Sequence, residues 1–473
     1  MKKIKIAIAA FLSVIAIISP FVSVLSLALF LPSQFDESFV GALDEKVELL
    51  AATEEEKIVI IGGSSVAFGY DSSIIEKYAE MPVINFGLYA ALGTKLMLDL
   101  SRPHIKAGDV VIIAPELDAQ TLSLYFNSDA TLRALDGSPS LYRYVDSEHY
   151  FSLLGASWGF LSDKIRYMMG ASPEYSGVYN SKSFGERGDI TYPRPENTMS
   201  LYYDPNTEIT LTSDILSSDF VEYLNGYIEE LRKVGADVYF EFCPMNSLAV
   251  RSSEEEISAF AEYLKENINC TFIGSIRDYI YDPAYFYDTN FHLNSAGAVM
   301  HTVNVTRDLL LELSIPKAVV DTVPAPPPLP EADVRFFDDD ENARYFTYEK
   351  LTDGSYMITG ILPEYKNMTE LTLPLGYDTY KVSAIGKSAF SGSSLKKLVI
   401  PENTNINFIA NGAFLGASSL SEMWIYYPHE EKIMPPVDFV GTASDFVVYV
   451  PEGSTYSLGY YWSERGLKFE FIK

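Results

Sequence analysis

The chain has 473 residues and a formal net charge of −29 at pH 7, with 35 Lys and Arg against 64 Asp and Glu. That balance lacks the basic footprint by which proteins hold nucleic acid, and the length allows two or three domains. Two cysteines, Cys243 and Cys270, make no disulfide framework and read as free thiols on core strands; no side-chain group has metal-ligand spacing, so neither a metal nor another cofactor is implied.

At the N-terminus, Lys2, Lys3 and Lys5 precede 26 uncharged residues, 6–31. As a helix that run exceeds the roughly 30 Å hydrocarbon core of a bilayer. Positive charge on its N-terminal flank places the N-terminus inside the cell and the rest of the chain on the extracellular face. Residues 1–33 therefore read as a single-pass membrane anchor. The alternative is a cleaved signal peptide and a secreted protein, with Ser26-Leu27-Ala28 as the small-x-small site. Residues 34–56 form a juxtamembrane segment.

From residue 57 the pattern alternates. Strands are expected at 58–61, 83–85, 110–114, 238–242 and 271–273. Residues 215–234 place Phe220, Tyr223, Leu224, Tyr227 and Leu231 at three- and four-residue spacing, one apolar helix face. Residues 257–268 do the same with Phe260, Tyr263 and Leu264, and a last helix begins near Asn294. Alternating strands and helices predict an α/β domain with a doubly wound parallel sheet over 57–313. A Tyr-, Ser- and Gly-rich insertion at 119–212 is either a lid over the sheet edge or a separate decoration.

Two places in this domain carry chemistry. The first strand runs into Gly62-Gly63-Ser64-Ser65, which puts a serine where a buried strand meets the next helix. Near the domain's end, Asp288 stands four residues before His292. A serine nucleophile needs a base, and the base needs an orienting acceptor. On these residues the region 57–313 resembles the SGNH (GDSL-type) hydrolase superfamily. The resemblance implies a catalytic Ser64, with Ser65 as its rival in register, and His292 as base with Asp288 behind it. It also implies oxyanion donors at Ser64 and at Gly87 of Asn85-Phe86-Gly87. Glu116 stands about where that family has an asparagine, and three residues rather than two separate the acid from the histidine. Ser65, Glu116 and Asn290 are expected neighbours of the site.

Residues 314–335 are proline-rich and read as an extended spacer. Beyond them, over 336–473, Ile385-Gly386-x-x-Ala389-Phe390-x-Gly392 recurs 24 residues later as Ile409-Ala410-x-x-Ala413-Phe414-x-Gly416. Leu395, Leu398 and Ile400 recur as Leu420, Met423 and Ile425. A fixed period of this size marks a stacked-repeat architecture. The pattern resembles the BspA-like leucine-rich repeats of bacterial surface proteins, which implies a C-terminal solenoid. Val448–Ser454 and Tyr460-Tyr461-Trp462 are the expected terminal strand and cap.

Together these readings predict a membrane-anchored extracellular serine esterase that acts on acyl esters of cell-surface or other glycans through an acyl-serine intermediate. Two alternatives stay open: an O-acyltransferase acting on an envelope polymer, and a catalytically inactive surface protein. The expected partners are a carbohydrate or acylated polymer, the membrane, and a surface ligand of the repeats.

Overall fold

Ile58, Val59, Ile60 and Ile61 offer no polar face to water, and the strand they form, β1 (Ile58–Gly62), is buried along its whole length. In the computed structural model, β1 lies between β2 (Val83–Gly87) and β3 (Val110–Ile113), and the sheet continues through β4 (Asp237–Glu241) and β5 (Thr271–Ile273). All pairings are parallel, in the order β2-β1-β3-β4-β5. The chain leaves β1 toward β2 on one side and later returns to build β3 on the other. The carboxyl ends of β1 and β3 therefore form the switch point, the place where open α/β sheets bind ligands.

The structure describes residues 13, 18–170, 177–199, 201–329, 334–336, 338, 340–454, 456, 462 and 465–472. The basic start and most of the first half of the apolar run lie outside these residues, as do Tyr460 and Tyr461 of the expected cap. Residues 18–30 are helical. Among the described residues no helix is long and apolar enough to cross a membrane.

The chain divides into two compact units, Met1–Asn197 with Ile209–Leu329, and Thr198–Glu208 with Pro330–Lys473. In the first unit, after the helical residues 18–30, the described helices are α1 (Ala42–Ala52), α2 (Ser64–Gly69), α3 (Ser72–Ala79), α4 (Thr94–Ser101), α5 (Ser128–Ala134), α6 (Tyr150–Met168), α7 (Ser218–Val234), α8 (Glu254–Asn267) and α9 (Ser295–Glu312). Helix boundaries follow caps rather than apolar periodicity. Ser217 accepts from the Phe220 N–H, so α7 starts after it and not at Ile215. A Ser253/Glu256 capping box starts α8 three residues before the apolar pattern does. Cys243 is buried and Cys270 partly so, and both are free thiols.

The proline-rich segment departs from the expected free spacer over its first half. Ile315, Val319 and Val323 pack against Ile74, Tyr78, Val303 and Leu310 of α3 and α9. Lys317 Nζ donates to the Tyr78 carbonyl at 3.0 Å, and the Val320 N–H donates to the Tyr78 hydroxyl at 2.9 Å. Prolines keep this stretch extended, but apolar residues every fourth position give it a face to bury, and its own N–H and C=O groups find partners on the domain.

In the second unit five strands, Glu370–Thr372, Lys397–Ile400, Glu422–Ile425, Val447–Pro451 and Lys468–Ile472, form one parallel sheet in sequence order. The recurring residues share one core: Ile385, Ala389, Phe390, Leu395 and Leu398 with Ile409, Ala413, Phe414, Leu420 and Met423. The Phe390 and Phe414 rings stack at 5.7 Å, and Phe439 stacks on Phe414 at 5.1 Å. Gly392 (φ +67) and Gly416 (φ +79) hold the same left-handed backbone in successive units, which explains glycine at that repeat position.

Candidate active site

The β1–α2 turn brings backbone close to backbone. A Cβ on Gly62 would lie 2.4 Å from the Ala114 carbonyl oxygen, and one on Gly63 would lie 3.1 Å from Ala90 Cα and 3.2 Å from Glu116 Oε1. Gly63 has φ −87, so what favours glycine there is tight space and not a left-handed turn, while the 2.4 Å approach at Gly62 leaves no room for a side chain. Ser64 is the first residue of α2 and the more accessible of the two serines, at 8% exposed against 0% for Ser65. Ser64 Oγ donates to Glu116 Oε1 at 3.1 Å, and the Ser65 N–H donates to the same oxygen at 2.9 Å. The Ser65 hydroxyl is sealed in without a hydrogen-bond partner.

Glu116 follows β3, so the two strands at the switch point each deliver one of these groups. It is buried. Burial raises its carboxyl above the ordinary range and Asp118 adds to the rise, while His292, the Ser65 N–H and the Ser64 hydroxyl oppose it.

His292 sits in the loop before α9. The Asn294 side chain caps α9 by accepting from the Gly297 N–H at 2.9 Å, and its amide donates to the Ala284 and Phe286 carbonyls, which fixes the loop. His292 Nδ1 lies 2.8 Å from Asp288 Oδ1. The Tyr179 hydroxyl donates to Asp288 Oδ2 at 2.6 Å. This pairing leaves Nε2 as the nitrogen for proton transfer. The imidazole stacks on Phe68 at 3.9 Å with 6° between the rings, and Phe68 lies in α2, four residues after Ser64. The Arg194 guanidinium lies 5.3 Å from the same phenyl ring, its pKa lowered to about 10 by burial. Serine and histidine are therefore carried on groups in direct contact. Among the described residues no hydrogen bond joins Ser64 to His292, because the Ser64 hydroxyl is turned to Glu116.

Gly87 pairs in register with Gly62, and a Cβ there would strike Val66 at 2.4 Å. Its N–H is already committed to Asn85 Oδ1 at 3.0 Å, so it must leave Asn85 before it can serve an oxyanion. Asn85 in turn donates to the Val66 carbonyl at 2.9 Å and to Asp189 Oδ1 at 2.8 Å. Asn290 is buried, and its carbonyl accepts from the Asn246 N–H at 3.0 Å.

Three contributors had no sequence signal of their own: Phe68, Tyr179 and Arg194. Tyr179 and Arg194 belong to the 119–212 insertion, whose tyrosine content was the one available hint. Among the described residues, one group could present cation ligands together, Asp146, Glu148 and His149 before α6. There Lys95 Nζ already holds Asp146 Oδ2 at 2.6 Å, a positive charge that competes with any cation. Compared with protein-family models and with curated proteins, the chain matches none.

Proposed function

We propose that the first unit is an SGNH-type serine esterase acting on acylated glycans outside the cell, held there by the N-terminal apolar run, with the second unit a BspA-like leucine-rich-repeat solenoid. The observation that carries the enzymatic reading is Ser64 at the switch-point edge, one helical turn from the Phe68 ring on which the Asp288-paired His292 stacks. In the reaction, Ser64 Oγ attacks the ester carbonyl while His292 Nε2 takes its proton. Asp288 holds the Nδ1–H and stabilises the imidazolium. The tetrahedral intermediate expels the alcohol, which leaves with the proton from His292. A water activated by the same nitrogen then hydrolyses the acyl-Ser64 ester. If a sugar hydroxyl replaces that water, the same intermediate serves an acyltransferase.

Incubating the protein with a fluorophosphonate tests this. Stoichiometric labelling of Ser64 is expected, and an unlabelled folded protein favours the inactive surface-protein reading, whose support is the Ser64–Glu116 hydrogen bond.

Glu116 makes a separate prediction. An ionised Glu116 holds the Ser64 hydroxyl by a charge-assisted bond, about 1 kcal/mol stronger than a neutral one. Ser64 must break that bond to reach His292. Glu116→Gln keeps the volume and the acceptor but removes the charge. It should speed labelling roughly fivefold wherever the wild-type carboxyl is ionised. Because burial raises the Glu116 pKa, the wild-type carboxyl becomes neutral on the acid side, and the gain should shrink as pH falls through its titration. A slower Glu116→Gln at neutral pH would mean that the carboxyl itself takes part in proton transfer.

A further inference from the structure

Among the described residues, no element covers the outer side of α6. Phe151, Trp158 and Ile165 recur every seventh residue on one helix face, and Met168 and Met169 extend it. Phe151 is 72% exposed and Trp158 54%. Gly155 and Gly159 on the same side face open space, with nothing within 4 Å of a Cβ placed on either. The opposite side is ordinary core, with Leu153, Phe160 and Leu161 buried. Soluble surfaces rarely present contiguous apolar patches beyond a few hundred Å² without a partner.

What borders this face identifies the partner. The apolar run 6–31 ends at Leu31, whose carbonyl accepts a hydrogen bond from Lys164 Nζ of α6 at 3.1 Å. Lys164 is fully buried there in an ion pair with Asp136, and the Gln34 N–H donates to the same carboxylate at 2.8 Å. Phe35 packs its ring on Phe160 at 5.7 Å and on Tyr167 at 5.5 Å. The end of the run is thus fastened to the inner side of α6, within one helix diameter, about 10 Å, of its outer face. Near that end Phe30 is 86% exposed, while Val24 and Ala28 on the same helix are buried.

We infer that the outer face of α6 rests on a phospholipid bilayer beside the N-terminal segment, at the depth of the headgroups and upper acyl chains. This rests on reading 6–31 as a membrane anchor. If that run spans the bilayer, its last residue lies at the membrane–water boundary, and the fastened α6 must lie there too. Tryptophan at that depth puts its ring among acyl chains and its N–H among headgroups. Residues 150–162 of α6 carry no charge, and Asp163, Lys164 and Arg166 all fall in its last turns, as suits a helix covered on both sides over most of its length. The site edge would then be held at a set distance from the surface, with α6 as a second support beside the anchor.

The test uses the full chain with Cys270→Ser and a polarity-sensitive thiol dye on Trp158→Cys, in vesicles of phosphatidylcholine and phosphatidylglycerol. A dye on Glu229→Cys of α7 is the aqueous reference. Flotation with the vesicles reports the anchor, and quenching reports α6. The expected result is flotation, a blue-shifted Trp158→Cys dye quenched by lipids brominated high on the acyl chain, and several-fold weaker quenching by aqueous iodide than at Glu229→Cys. Flotation with equal iodide quenching at both positions overturns the α6 inference and leaves the anchor intact. Failure to float overturns both. Shielding that depends on protein concentration and is insensitive to brominated lipid would assign the face to a second copy of the chain, which also overturns the inference. A dye on Phe151→Cys repeats the measurement one heptad away.

Discussion

Ser64→Ala should abolish covalent labelling and ester turnover, a loss of at least about 10³-fold, while Ser65→Ala should keep most of both. The two serines are adjacent in the chain and opposite in circumstance. Ser64 Oγ lies at the carboxyl edge of β1, buried at 8% exposure and hydrogen-bonded to Glu116. The Ser65 hydroxyl is enclosed with no partner, so nothing can take its proton, and its removal leaves no buried group unpaired. Ser65→Ala should therefore fold at least as well as the parent. His292→Ala should match Ser64→Ala in turnover, since one group without the other cannot complete the transfer. Mass spectrometry of the labelled peptide, with turnover of a generic acyl ester, separates the outcomes. A dead Ser65→Ala beside an active Ser64→Ala would shift the register by one residue. Undiminished labelling in both would put the reactive group elsewhere.

The core sheet was legible because its strands are unambiguous. Residues 58–61 and 110–113 are uninterrupted β-branched runs too short for helices, and both are buried as strands. Helix positions were legible from periodicity, but helix starts were not. Ser217 and Ser253 set them through side-chain hydrogen bonds, and Ser253-x-x-Glu256 was available as a signal. Composition marks the proline-rich segment as extended, but its burial depends on the spacing of Ile315, Val319 and Val323, which a proline count does not contain.

The site was legible where chemistry coincides with local pattern. Asp288 and His292 are four residues apart, and one loop suffices to bring them together at 2.8 Å. The partners that aim them come from distant sequence: Tyr179 on Asp288 and Phe68 under His292 are ordinary aromatics with no spacing to mark them. Glu116 shows the same limit from the other side. Its position after the third strand was readable, but only the packing shows that its oxygen receives both the Ser64 hydroxyl and the Ser65 N–H.

Asp109→Ala should destabilise the first unit by about 3–5 kcal/mol and leave the chemistry of any remaining folded protein unchanged. Asp109 precedes β3 and Lys57 precedes β1, at the end of the sheet opposite Ser64. The two form an ion pair at 2.8 Å with both side chains essentially inaccessible. Asp109 also accepts the Lys57 N–H at 3.1 Å and the Lys106 N–H at 2.8 Å, so one carboxylate ties together the entries of two central strands. Alanine strands a buried ammonium and two N–H groups at once. Asn at the same position keeps acceptors for the N–H groups and should cost less. Replacing both charges, as Lys57→Met with Asp109→Leu, should recover part of the loss, because the desolvation of two ions no longer opposes folding. Thermal unfolding is the measurement, with a drop in Tm of roughly 10 °C expected for Asp109→Ala. Fluorophosphonate labelling at low temperature should stay at the parental rate per folded molecule, since the pair lies a full strand length from Ser64. A Tm within a degree or two of the parent would show that water reaches the pair and that the strand entries are held by the β-branched core alone.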